Sequence, residues 1–244
     1  MRPGEQLTVV LHQTRSTDNL GAVARIMANF GFSRLILSEP VLKSIEGAEK
    51  LAVKSDFVLK GMEVASDLSE ALKDCVYAVG TTSRTQLKGR TTLMPEEAIR
   101  RLAEESARGR VALVFGGEQR GMSDEDLARC NDVLAIPTAA VQPSMNLAQS
   151  SAVLLYLCHR QSLTPTPVAE DEAPGAKLGT LGALAKRMRE VMLRAEFLNP
   201  QAPQHVLNEL EQTLMRARLT QREAELWLTA FKHLDRAVTR GAST

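Results

Sequence analysis

The chain has 244 residues, 44% hydrophobic and 24% charged, with a formal net charge of +1, a balance that suits a globular fold with a substantial core and gives, as a total, no support for nucleic-acid binding. No run of about 18 apolar residues occurs, which excludes a membrane-spanning helix, and the start MRPGEQLTVVLHQ lacks the apolar core of a signal peptide, so a cytoplasmic address is expected. Cys75, Cys130 and Cys158 stand in no CxxC or Cys/His spacing, so free thiols and no metal are expected.

In chain order, LTVVL (7–11) is a short buried-strand run. DNLGAVARIMANFG (18–31) then sets Leu20, Val23, Met27 and Phe30 on one helical face, with Gly31 placed to end the helix. RLILS (34–38) resumes a strand, giving a parallel βαβ unit. Further strands are expected at 75–80, 111–116 and 133–137, separated by helical stretches near 63–73, 95–107 and 123–130. Ser123 followed by Asp126 has the form of a capping box with Asp in place of Glu. The alternation predicts an α/β fold with a mainly parallel sheet. A helix over 146–161 closes this domain, set at residues 1–161. Residues 162–178, with Pro165, Pro167, Pro174, Glu170, Asp171 and Glu172, read as a linker. From 179 to 244 two or three amphipathic helices form a small C-terminal extension, broken by NPQAP at 199–203. Residues 177–244 hold eleven Lys/Arg against seven Asp/Glu, which keeps RNA or DNA in play.

Ligands of open α/β sheets collect beyond the carboxyl ends of the strands. Four loops occupy such positions: HQTRSTDNLG (12–21), GTTSR (80–84), FGGEQRG (115–121) and IPTAAVQPSMN (136–146). No GxGxxG follows the first strand and no Walker lysine is present, so dinucleotide redox chemistry and P-loop hydrolysis are set aside. The glycines of FGGEQRG allow close backbone approach or left-handed turns.

DNLGAVARIMANFG, FGGEQRGMSDEDLARC and IPTAAVQPSMNLAQSSAVLLYL together resemble, in order, the three motifs of the knotted SPOUT RNA methyltransferases, in the SpoU/TrmH-like branch that methylates ribose 2′-hydroxyls. The segment EFLNPQAPQHVLNELEQTLMRARLTQREAELW is similar to the helical extension of the TrmJ tRNA methyltransferases within that branch. The resemblance implies a trefoil knot at the C-terminal part of the sheet, S-adenosyl-L-methionine as cofactor, RNA, above all tRNA, as substrate, and a homodimer. Methylation at the first nucleotide of the anticodon loop is the implied reaction; ribosomal RNA as substrate, or a knotted RNA binder without activity, are the alternatives.

The same resemblance implies cofactor contacts from Thr81, Thr82, Ser83, Gly116, Gly117, Ile136, Ser144, Met145 and Asn146, with the two glycines letting the backbone pass close to the cofactor. It places Arg25, Asn19, Glu118 and Asn146 in the catalytic set. Gly21, Arg25 and Asn29 are spaced four apart and share a helical face, which would let Arg25 project into a cleft. Guanidinium stays charged, so Arg25 is assigned to orienting the ribose or a phosphate and stabilising the alkoxide, and the proton acceptor stays open. Asn19 also suits a helix N-cap. Arg15, Arg84, Lys88, Arg90 and Arg120 are candidate phosphate contacts. The closing helix, with Leu147, Val153, Leu154 and Leu157, is a candidate dimer face, and the extension would add RNA-binding surface or dimer contact.

Overall fold

A computed structural model describes residues 6–42, 44–84, 87, 90–162, 173–198 and 204–241. Six strands, β1 (Leu7–His12), β2 (Leu35–Ser38), β3 (Glu63–Ala65), β4 (Tyr77–Thr82), β5 (Val111–Gly116) and β6 (Asp132–Ala135), form one sheet in the order β3-β2-β1-β5-β4-β6. All five pairings are parallel. Every carboxyl end therefore lies on one edge of the sheet, and β1 and β5 occupy its centre.

Alternate residues of each strand feed two different cores, as a period of two dictates. Val9, Leu11, Leu35, Leu37, Val79, Leu113, Phe115 and Leu134 face one side. There they meet α1 (Thr17–Asn29), α4 (Pro95–Glu105) and α6 (Leu147–Ser162), with α6 packed against both of the others. Val10, Ile36, Ala78, Ala112, Val114 and Val133 face the other. That side is covered by α3 (Leu68–Leu72), by α5 (Asp124–Ala128), and by the C-terminal segment, which contributes Ala176, Leu178, Leu181 and Ala224. A 3-10 turn at Ala48–Lys50 and a short helix α2 (Asp56–Lys60) complete the first layer.

The helix expected near 63–73 is in fact an edge strand followed by a helix. Glu63, Val64 and Ala65 pair in parallel with Ile36, Leu37 and Ser38, and Asp67 caps α3 by accepting from the Glu70 amide at 2.7 Å. A short edge strand exposing Glu63 and Val64 carries no apolar run to announce it. The other strands fall within one or two residues of expectation. The capping box at α5 forms as read, with Ser123 and Asp126 each accepting from the other's backbone amide.

Residues 163–172 of the expected connector lie outside the described residues. Beyond them Leu178 donates its amide to Cys75 O at 2.8 Å and Ala176 to Leu219 O at 2.8 Å. Three helices follow: α7 (Leu178–Arg194), α8 (Gln204–Arg216) and α9 (Gln221–Gly241). Asp235 of α9 takes ion pairs from both Arg187 and Arg194 of α7. Buried Glu105 of α4 pairs with Arg108 at 3.0 Å and Arg218 at 2.7 Å, tying the two parts of the chain. All three cysteines are buried free thiols, and burial pushes Cys75 up to about 11 and Cys130 and Cys158 up to about 12. No helix among the described residues is long and apolar enough to cross a membrane.

Candidate active site

At the carboxyl ends of β4, β5 and β6 the chain leaves a cavity of about 360 Å³, within the usual range of small-molecule sites. The end of β4 and the loop after it contribute Thr81, Thr82, Ser83 and Arg84; the end of β5 and the loop after it contribute Gly116 to Met122; the loop after β6 contributes Ile136, Thr138, Pro143, Ser144 and Met145. Eight of the nine residues named for cofactor contact thus line one cavity; Asn146 is not among the lining residues. Phe115, Leu134, Leu147 and Ser150 form further wall, and Gln119 and Thr138 were not singled out from the sequence. Hydroxyls and backbone groups stand beside Phe115, Leu134, Ile136 and Met145, a mixture that fits a ligand with both apolar and hydrogen-bonding parts, as a nucleoside has.

The glycine loop turns back on itself. Gly117 bridges Gly121, whose amide donates to Gly117 O at 2.9 Å, and Gly121 takes φ +64°. A Cβ on Gly116 would lie 2.4 Å from Gly121 C, and one on Gly117 would lie 2.3 Å from Gln13 O. Both distances are prohibitive, and both obstacles are the chain's own backbone. The two glycines line the cavity, and the chain's own packing already demands glycine at both, Gly116 against the returning Gly121–Met122 backbone and Gly117 against Gln13 O just after β1.

Glu118 is the hub behind this loop. Its carboxylate accepts from Asn19 Nδ2 at 2.9 Å, the Arg15 amide at 3.0 Å, the Ser16 amide at 3.2 Å and Thr14 Oγ1 at 3.3 Å. Burial alone would raise its pKa; hydrogen bonds from Asn19 and from the amides of Glu118, Arg15 and Ser16 outweigh that and hold the carboxyl below its ordinary range. Asn19 Oδ1 in turn accepts from Asn146 Nδ2 at 3.1 Å. Asn146 Oδ1 accepts from the amides of Ala148 and Gln149 at 2.8 and 3.3 Å and so caps α6. The cap of α1 is Ser16, whose Oγ accepts from the Asn19 amide at 3.2 Å. Asn19 sits inside the helix instead of capping it, because the helix begins at Thr17. Its freed side chain bridges Glu118 and Asn146.

Arg25 lies on the exposed side of α1, outside the residues that line the cavity. Within one chain it does not project into that cleft. Its expected face-mate Gly21 is buried, and a Cβ there would meet Ala48 O at 2.1 Å. Two of the candidate phosphate contacts are already engaged. Arg84 donates to Asp124 Oδ1 at 2.6 Å and Met122 O at 3.1 Å. Arg90 donates to the carbonyls of Leu127, Cys130 and Asn131, closing the carboxyl end of α5. Arg15 and Arg120 are exposed, and Lys88 lies outside the described residues. Among the described residues no group of three or more His, Cys, Asp or Glu could hold a metal ion.

An all-parallel sheet with a cavity of this size at its carboxyl edge, walled by three strand ends and the loops that follow them, is where α/β proteins bind small-molecule ligands. Residues 6–156 match the SpoU rRNA Methylase family. The chain is 30% identical over 217 residues to the tRNA (cytidine/uridine-2′-O-)-methyltransferase TrmJ of Pectobacterium atrosepticum, covering 88% of this chain and 90% of the relative. Among solved structures, TrmJ from Z. mobilis ZM4 superposes with a TM-score of 0.79 over 93% of this chain and 98% of its own, at 24% identity. A chain solved in a study of the 2-OH methylation of C/U34 on tRNA covers 64% of this chain and 95% of its own at 27% identity and TM-score 0.51. The protein belongs to the SpoU methylase family of RNA methyltransferases.

Proposed function

We propose that this protein transfers the methyl group of S-adenosylmethionine to a ribose 2′-hydroxyl of tRNA, at the first nucleotide of the anticodon loop. The observation that carries the reading is the convergence of the three family motifs: their residues line one cavity, or lock together directly behind it through Asn146, Asn19 and Glu118. Similarity to tRNA 2′-O-methyltransferases over most of the chain supports tRNA above ribosomal RNA. We place the enzyme in the cytoplasm and take the family's trefoil knot to lie in the loops that enclose the cavity.

Thr81, Thr82, Ser83, Gly116, Gly117, Ile136, Ser144 and Met145 would hold the cofactor, which supplies when bound a methyl carbon made electrophilic by its positive sulfur. Alignment of the 2′-oxygen is then the main demand on the protein. Arg25 is the catalytic residue: it orients the ribose or an adjoining phosphate and stabilises the alkoxide as the proton leaves, while its permanent charge bars it from acting as the base. Glu118 is occupied by four donors, so its carboxylate serves as a fixed acceptor instead of a free base. Asn19, Glu118 and Asn146 act as positioning residues, setting the start of the arginine-bearing helix and of α6 against the cofactor loops.

Arg25 reaches a cavity across a homodimer. In support, Arg25 is exposed and outside the cavity of its own chain, while α6 leaves Val153 and Tyr156 exposed, with Tyr156 packed 5.9 Å from the Phe30 ring at the end of α1.

The test is transfer of labelled methyl from S-adenosylmethionine to unmodified tRNA and, in parallel, to ribosomal RNA, with nuclease mapping and Arg25→Ala as control. Label at the ribose of the first anticodon-loop nucleotide, lost in the variant, is the expected result. Label at position 34 would move the assignment to the nucleotide of the C/U34 relative, and label only in ribosomal RNA would overturn the tRNA reading.

A further inference from the structure

We infer that His12 is a positioning residue for the cofactor site, a strut that fixes both ends of the glycine loop. The inference rests on the reading of the cavity as the S-adenosylmethionine site. His12 ends β1, and its ring is 1% exposed. Its backbone is paired with Gly116, where the loop begins, and its carbonyl would lie 3.3 Å from a Cβ on Gly117. Its side chain meets the loop's other end: Nε2 stands 3.3 Å from Asp126 Oδ1, while Asp126 Oδ2 accepts from the Ser123 amide at 2.9 Å and from Ser123 Oγ at 2.7 Å. One residue therefore touches the loop where it leaves the sheet and the capping box where it enters α5.

The other face of the ring is equally defined. Nδ1 lies 3.0 Å from Ser38 Oγ at the end of β2, and Glu39 Oε2 is 3.8 Å from Nε2 and also accepts from Gln13 Nε2 at 3.1 Å. Glu39 lies beyond hydrogen-bond reach, and Nε2 makes no hydrogen bond, to Asp126 or otherwise, among the described residues, so any coupling of the ring to Asp126 is through the carboxylate's charge. Carboxylates only accept, so these neighbours favour the tautomer with its proton on Nε2, leaving Nδ1 to accept from Ser38. A residue so placed touches no ligand. Its effect must pass through the loop, as a change in cofactor affinity with the chemical step preserved.

Replacements separate the two nitrogens. His12→Gln keeps a donor at the reach of Nε2 and loses the Ser38 acceptor; His12→Asn keeps polar reach only at Nδ1; His12→Ala keeps neither. Calorimetric titration with S-adenosylmethionine, together with KM and kcat for methyl transfer, reads the effect. The expected result is Kd and KM raised about tenfold in His12→Ala and His12→Asn with kcat within about twofold, and near wild-type values in His12→Gln. Asp126→Asn, which keeps an acceptor for Ser123 but removes the charge, should weaken binding in the wild-type background and add nothing in His12→Ala. Equal affinity in all variants, equal rescue by Asn and Gln, or additive effects of the His12 and Asp126 changes would overturn the inference while leaving the cofactor reading intact. A wild-type protein that binds no S-adenosylmethionine would remove both.

Discussion

Asn146 and Asn19, 127 positions apart in the chain, are joined side chain to side chain at 3.1 Å. Each stands in the first turn of a helix or caps it, and Glu118 on the glycine loop holds the far end of the chain of contacts. The angle of α1 is thus set by groups on two other segments. A displacement of about 1 Å in any of them moves the helix that carries Arg25, a scale that matters for in-line transfer.

Replacing Glu118 with Gln removes a charge that four donors address and puts an amide donor against them. Because the folded-state pKa is lowered from 4.5, the carboxylate contributes stability that is present above the unfolded value and lost as pH falls through the lower folded one. The melting temperature of the wild type should therefore fall faster than that of Glu118→Gln as pH is taken from 7 to about 3. A parallel pair of melting curves against pH would show that Glu118 adds no such stability.

Gly117→Ala should be more damaging than its one methyl suggests. The new carbon would sit 2.3 Å from Gln13 O, and the obstacle is backbone, so the loop itself must shift. The expected cost is about 1–3 kcal/mol in chemical denaturation, with cofactor affinity reduced at least about tenfold by calorimetry. Unchanged affinity would show that this loop does not shape the site.

Mixing two inactive variants tests whether a site is shared between subunits. Arg25→Ala leaves the cavity whole, and Ile136→Trp fills the cavity but leaves Arg25. Half of the dimers formed from an equal mixture are heterodimers, and each has one complete site only if the arginine acts across the interface, so about a quarter of wild-type activity should return. No recovery would place Arg25 in its own chain's site. Arg25→Ala alone should lower kcat by about 10²–10³ with little change in melting temperature, since the side chain is exposed.

The C-terminal extension covers one face of the sheet, and its removal should expose that face. Leu181, 6% exposed, packs in the same core as Leu72, Cys75 and Ala78. Leu181→Ala should cost about 2–5 kcal/mol in urea unfolding of the whole chain, in one transition. A first transition that melts the extension alone, leaving the sheet's stability untouched, would show that the two parts are independent.

Most strands and the three long helices between residues 7 and 162 were legible because each is a clear run: apolar blocks for buried strands, a 3.6-residue stripe for α1. β3 was not, since Glu63 and Val64 are exposed and only pairing with β2 makes a strand of them. Cavity residues were legible through the loops that hold them. The partners of Arg84 and Arg90 were invisible, because they lie roughly 40 positions downstream and are largely carbonyl oxygens, which every residue carries. The Gly117 constraint was hidden for the same reason: it is set by Gln13 O, a backbone atom of the residue that follows β1.

Burial at Cys75, Cys130 and Cys158 also shapes how this protein can be studied. With thiols pushed to about 11 and 12, almost no thiolate exists near neutrality, and alkylating reagents attack thiolate. The natural sequence is therefore a silent background for maleimide chemistry. A single cysteine introduced at an exposed position such as Gln119 could carry a fluorophore or spin label beside the cavity, reporting loop motion without first stripping the chain of its own sulfur.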